Sequence, residues 1–247
     1  MTNAETIVQG PADERERIRL TSYRNVITID GPVAAGKTVV GRTLARRLGF
    51  DYLDTGNMYR AITWLAIKTN VPVEDAAALE KLAAENPVHI TGPEGDEVEV
   101  GGHRLGTCLR TPEVNRRVSL VSQVSGVRRA LVAQQRALAE NGNMVMVGRD
   151  IGTVVLPGSE LKIYLTASAQ NRAQRRWQEL REMGQDRDFD LVLQETQERD
   201  RLDSQREDSP LKPAEDSWLV DTSDLDVDQV VKLILDRANC MGGAAQT

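Results

Sequence analysis

The chain has 247 residues, 40% apolar, 28% charged and 4% aromatic, enough for one large α/β domain with a modest insertion; this excludes a lone binding motif and a chain too polar to fold. With 31 basic against 37 acidic residues the formal charge is -6, so nothing global invites a nucleic acid and any phosphate must be held by a local cluster. Cys108 and Cys240 lie far apart with no CxxC, no apolar run approaches the roughly 18 residues of a membrane span, and the N-terminus is polar where a signal peptide would be apolar, so reduced cysteines, no membrane partner and a cytoplasmic location are expected.

In chain order, residues 1–24 are polar with little apolar periodicity and are expected to form a flexible tail, leaving residues 25–247 as a single domain. Asn25 to Asp30 is a β-branched run that stops at Gly31-Pro32 and reads as a strand; Met144 to Val147, Leu161 to Leu165 and Trp218 to Asp221 read alike. Helical spacing appears at Val40, Leu44 and Leu48, and again at Val227, Val230, Val231, Ile234 and Leu235. Alternating strand and helix predict an α/β fold with a central parallel sheet covered on both faces. Val71 to Cys108 breaks that rhythm with an Ala-rich helix (Asp75 to Glu85) and a short strand (Glu97 to Val100), and reads as an inserted subdomain.

Gly31-Pro32-Val33-Ala34-Ala35-Gly36-Lys37-Thr38 fits G-x-x-x-x-G-K-[ST] at every fixed position, after a predicted strand and before a predicted helix. Glycine lets backbone amides wrap phosphate oxygens, the helix N-terminus favours the anion, Lys37 would reach the β- and γ-phosphates, and Thr38 would present a hydroxyl to Mg²⁺. A P-loop implies a nucleoside triphosphate, here ATP, but not its use. No Asn/Thr-Lys-x-Asp base-reading signature of a switch GTPase is present, so a second substrate site is the better lead.

That lead is an arginine and carboxylate constellation. Arg60 follows Asp54-Thr55-Gly56-Asn57-Met58-Tyr59, read as a turn entering a helix, and Gly148-Arg149-Asp150 sits just past a strand, where parallel α/β sheets hold ligands. Arg172, Arg175 and Arg176 share one helical face, as do Arg199, Asp203 and Arg206. Either set alone could be a salt-bridged surface helix. Phosphoryl transfer between nucleotides gathers many negative charges, which planar guanidinium groups neutralise and orient well. The stretch from Gly184 to Phe189 suits the turn of a lid, placed at about 172–188.

Taken together, Ile29-Asp30-Gly31-Pro32 with the P-loop, Leu53-Asp54-Thr55-Gly56 through Arg60, Arg110-Thr111-Pro112-Glu113-Val114, Gly148 through Val155, Glu198-Arg199-Asp200 with Asp203 and Arg206, and Ser209-Pro210-Leu211 resemble the bacterial cytidylate kinases. The resemblance runs from about Val26 to Arg237. It implies a three-layer P-loop nucleoside monophosphate kinase fold with a monophosphate-binding subdomain at about 53–110, a helical lid, and transfer of the γ-phosphoryl of ATP to CMP or dCMP, with Mg²⁺, by a monomer. By the same resemblance Thr55 lies in the acceptor site and Arg60, Arg149 and Arg206 grip the acceptor phosphate. Arg199 and Asp203 meet the sugar, Ser119, Arg128 and Asp150 read the base, and Lys37, Arg149, Arg172 and Arg176 hold the transferring group. Base reading has an independent rationale, since cytosine donates from N4, which a carboxylate accepts, and accepts at N3 and O2.

Three positions depart from the family pattern: Val147 where Asp is usual before Gly-Arg-Asp, Leu202 for Arg, and Ser125-Gly126 where Pro is usual. Without a carboxylate at 147, Asp30 is expected to order the metal shell. On the residues alone, two other readings stay open: a small P-loop kinase for another acceptor, and a catalytically weak nucleotide-binding paralogue acting as a regulatory or partner protein.

Overall fold

The computed structural model describes residues 23–244 apart from residue 93, so nearly all of the expected tail lies outside the described residues. Five strands form one parallel sheet in the order β2 (Asp51–Asp54), β6 (Met144–Val147), β1 (Tyr23–Asp30), β7 (Ser159–Thr166) and β8 (Trp218–Asp221). Val26 to Asp30 and all of β6 are buried, as befits central strands covered on both faces. The edge strand β2 is not among the strands expected from the sequence, and its last residue, Asp54, falls in the expected turn before Arg60. It has only four residues and ends in aspartates, so propensity alone gives it no strand signal.

Helix α1 (Lys37–Leu48) continues directly from the P-loop and packs Val40, Leu44 and Ala45 on one face of the sheet beside α8 (Val227–Ala244), which contributes Val230, Val231 and Ile234. Gly41 allows the closest approach: a Cβ there would lie 2.6 Å from Val147 Cγ1. On the other face, α2 (Thr55–Lys68) buries Met58, Ile62 and Leu65 at i, i+4 and i+7 against α5 (Ser125–Ala139) and its Leu131. Each such side chain contributes roughly 1.5–3 kcal/mol by leaving water.

Between α2 and α4 (Pro112–Val121) the chain forms α3 (Ala76–Glu85), N-capped by Asp75, and a small antiparallel sheet of β3 (His89–Thr91), β4 (Glu97–Val100) and β5 (His103–Arg104). Trp64 of α2 meets His103 edge-on at 5.3 Å. Gly126, where the family pattern has Pro nearby, leaves room for Glu80 of α3, which pairs with Arg129 at 2.6 Å. The β3–β4 turn reaches the core: a Cβ on Gly95 would fall 2.4 Å from the Tyr52 carbonyl, and Glu94 pairs with Arg42 (3.5 Å) and Arg46 of α1.

Helices α6 (Ala169–Glu182) and α7 (Phe189–Gln205) form a hairpin with its own small cluster of Ala173, Leu180 and Val192. Trp177 packs there edge-on to Phe189 and donates its indole N–H to the Arg187 carbonyl at 2.7 Å. Gly184 turns the hairpin at φ +73°. Arg206 lies just past the end of α7 in extended conformation, so the expected helical face of Arg199, Asp203 and Arg206 ends with the chain leaving the helix. Trp218 of β8 packs under Arg237, 4.8 Å away. No helix of the described residues is long and apolar enough to cross a membrane.

Candidate active site

The carboxyl ends of β1, β2, β6 and β7 open on one edge of the sheet, and β1, flanked by β6 and β7, marks the point where the strand order reverses. The P-loop leaves β1 there. Gly31 has φ +147°, and a Cβ on it would fall 2.0 Å from the Leu165 carbonyl, so only glycine fits. Ala34 at φ +58° and Gly36 at φ +88° complete the turn that delivers free amides to the start of α1. Lys37 is buried, and its Nζ donates to the Pro32 carbonyl of its own loop at 2.7 Å. Burial, then Arg149 nearby, pulls its ammonium well below the ordinary range.

Beside the P-loop, the Thr38 hydroxyl donates to Asp54 Oδ2 at 3.1 Å, while Asp54 Oδ1 caps α2 by accepting Gly56 N–H. Asp54 is thus the carboxylate at the expected metal position. Asp30, favoured on sequence for that task, is committed elsewhere: its two oxygens accept the amides of Ile151 and Gly152, each at 2.8 Å. Val147 packs against Gly41 under α1, where a carboxylate would be buried against helix backbone, and its carbonyl accepts the Thr55 hydroxyl at 2.9 Å. Asp54 escaped the sequence reading because it ends the unrecognised strand β2; once β2 is seen, a carboxylate at that strand end is conspicuous.

Arg60, Arg149 and Arg199 come together, with Arg110 and Arg176 close enough to act on them. Burial and the neighbouring Arg199 and Arg110 depress Arg60 to about 9; burial and Arg149 depress Arg199 to about 10. Arg60 donates to Asn115 Oδ1 at 2.6 Å, Arg149 Nε to Asp203 Oδ2 at 2.7 Å, and the buried Nε of Arg199 has no partner among the described residues. Burial and like-charge crowding lower Arg60 and Arg199, whereas at Arg149 burial is outweighed by the Asp203 carboxylate, which raises it; the three make a compact cationic site suited to an anion.

Next to it, Asp150 is buried between Arg128, an ion pair to Oδ2, and Arg206, whose Nη2 lies 3.3 Å from Oδ1. Arg206 therefore joins the Asp150 group, where the resemblance implied a grip on the acceptor phosphate beside Arg60. Arg128 also lies over the Tyr59 ring, a neighbour the sequence reading did not single out. Ser119 is half-buried on α4, ahead of the bend from which Ser122 offers its carbonyl to Arg128 at 3.5 Å.

The hairpin arginines differ from one another. Arg172 is buried and fully engaged: Nε donates to the Ala167 carbonyl at 2.9 Å, Nη1 to the Val33 carbonyl of the P-loop at 3.2 Å, and both terminal nitrogens to Asp200 at 3.0 and 2.6 Å. It ties α6, α7 and the P-loop together and has no fork to spare for a phosphate. Arg175 is likewise tied to Thr222, whereas Arg176 is a third exposed and pairs with Glu179.

A P-loop at the switch point of a parallel sheet, faced by a second cationic site and a helical hairpin, defines a P-loop kinase. The family model for cytidylate kinase matches residues 27–240. Cytidylate kinases of Bacillus licheniformis and Pelotomaculum thermopropionicum are 44% and 46% identical to the chain, covering 85% and 89% of it and 93% and 98% of their own lengths. That of Caldanaerobacter subterraneus is 43% identical over 87% of the chain and 96% of its own. The chain belongs to the cytidylate kinase family.

Proposed function

We propose that the protein transfers the γ-phosphoryl of ATP to CMP or dCMP. The observation that carries the acceptor is Asp150, a buried carboxylate held between Arg128 and Arg206 beside a group of depressed arginines. Its oxygens suit the cytosine N4 amino group and Arg128 suits N3 and O2, whereas uracil would set an O4 acceptor against a carboxylate. Arg60, Arg149 and Arg199 supply the charge for the acceptor phosphate, with Asp203 orienting Arg149. Catalysis is positioning and charge stabilisation, with no covalent intermediate: the P-loop amides and Lys37 hold the donor phosphates while the arginines aim the acceptor oxygen in line. The α6–α7 hairpin serves as the lid, Arg172 fastening it to the P-loop and Arg176 contributing the exposed guanidinium. Thr38 and Asp54 are suited to hold Mg²⁺, an oxygen-seeking ion that neutralises charge on the β- and γ-phosphates when bound.

The test is a coupled assay of the full chain with ATP, Mg²⁺ and each of CMP, dCMP, UMP and AMP. CMP and dCMP should give the highest kcat/KM, and Asp150→Asn should lower the CMP to UMP ratio by about 10- to 100-fold, since one misread base edge is worth ~1–3 kcal/mol. Preference for UMP or AMP in the native protein, or an unchanged ratio in the variant, would overturn the reading.

A further inference from the structure

After Asp150 the chain makes one π-turn, Ile151–Val155, in which the Asp150 carbonyl accepts Val154 N–H at 2.9 Å and Val155 N–H at 3.2 Å, and the Ile151 carbonyl accepts Leu156 N–H at 2.7 Å. So short a turn leaves amides at its start and carbonyls at its end without internal partners. Charged side chains from two other elements meet both. At the start stands Asp30 of β1, described above. At the end Arg136 donates from Nε to the Val155 carbonyl at 3.0 Å and from Nη2 to the Val154 carbonyl at 2.9 Å.

Arg136 lies on α5, eight residues after Arg128 and so on the same face a little over two turns further on. Because Arg128 is paired with Asp150, α5 holds this segment at two points, through the side chain at its start and the backbone at its end. The segment has little slack: a Cβ on Gly148 would lie 2.5 Å from Ile151 and 2.6 Å from Thr55 Oγ1, and one on Gly152 3.2 Å from both Thr28 Oγ1 and Lys162 Cδ.

We propose that Arg136 is a positioning residue for acceptor-base selection: by gripping the Val154 and Val155 carbonyls it fixes the π-turn and, through it, the direction of the Asp150 carboxylate. This rests on the reading of Asp150 as the base-facing group. Hydrogen bonds from a guanidinium are among the stronger ones, and a displacement of about 1 Å at a reacting site can cost on the order of 100-fold. Arg136 does not itself touch substrate.

The experiment compares the native chain with Arg136→Met and Arg136→Lys, reading kcat and KM for CMP, UMP and ATP, and amide hydrogen exchange over residues 150–156. In Arg136→Met, exchange in that segment should quicken, KM for CMP rise about tenfold, the CMP to UMP ratio of kcat/KM fall by a similar factor, and KM for ATP stay within about twofold. Arg136→Lys, able to reach one carbonyl, should recover part of each change. Native exchange in Arg136→Met overturns the brace. Faster exchange with an unchanged base ratio, or a uniform loss that includes ATP, overturns the positioning role. Failure of the native enzyme to use CMP would overturn the acceptor reading instead, and faster exchange in Arg136→Met would separate that failure from a failure of the brace.

Discussion

Lys37 donates to a carbonyl of its own loop and is lowered chiefly by burial and by Arg149, with Asp54, Asp203 and Asp30 only partly offsetting them, so the ammonium is held in place without a direct carboxylate partner among the described residues. That makes it responsive to a phosphate and expendable to the fold. Lys37→Ala should lower kcat by about 100- to 1,000-fold, as loss of a transition-state donor typically does, with an unchanged circular dichroism spectrum. Asp30 is the opposite kind of residue. Burial, resisted by its two amide partners, pushes its carboxyl from the ordinary 3.8 up to about 6. A carboxyl raised on folding adds stability below its unfolded value and loses that stability as pH rises through the folded one, so ionised Asp30 costs about 3 kcal/mol near neutrality. Activity should run the other way. Below about 6 the protonated carboxyl can no longer accept both amides of the π-turn, and kcat/KM for CMP should fall on the acid side. The acceptor phosphate titrates in a similar range, so the readout is the difference between the native profile and that of Asp30→Asn, in which this limb should flatten.

At the scale of elements, the P-loop, α6 and α7 are joined through Arg172, every nitrogen of which is engaged. Arg172→Met should cost about 2–3 kcal/mol in a denaturant titration, because Asp200 and the Val33 carbonyl lose a charged donor, while the circular dichroism spectrum stays native. What could be read from sequence follows the reach of the interactions. The P-loop is eight consecutive residues with a local reason for each fixed position, and the β-branched later part of β1 and all of β6 announce their burial in their composition, whereas β8, equally legible as a strand, buries only Val220. Asp54 needed the four-residue strand β2 to be recognised first, and the place of Asp30 depended on amides 121 and 122 positions away. Arg172 was singled out by its helical face, but that face does not say whether phosphate or Asp200 awaits it. The packing of Val147 on Gly41 joins two elements that no local pattern relates.

Across the molecule, the segment between α2 and α4 meets the core helix α1 through Glu94, a partly exposed carboxylate set between Arg42 and Arg46. Exposed pairs of this kind contribute less than about 1 kcal/mol and are screened by salt. Raising ionic strength should therefore raise KM for CMP by no more than about threefold, and Glu94→Gln should reproduce that rise at low salt and remove most of the further salt dependence. A native salt response in Glu94→Gln would place the coupling elsewhere.

The three tryptophans are distributed so that no two share an element: Trp64 on α2 against His103, Trp177 inside the α6–α7 hairpin, and Trp218 on the central sheet beneath Arg237. The tryptophans thus sit at three separate places in the fold: a helix covering the sheet, the hairpin, and the sheet itself. With two of the three replaced by phenylalanine, the emission of the third becomes an optical channel for its own part alone. Recorded as ATP and CMP are added separately and in both orders, the three channels would resolve the sequence in which the molecule assembles around its substrates.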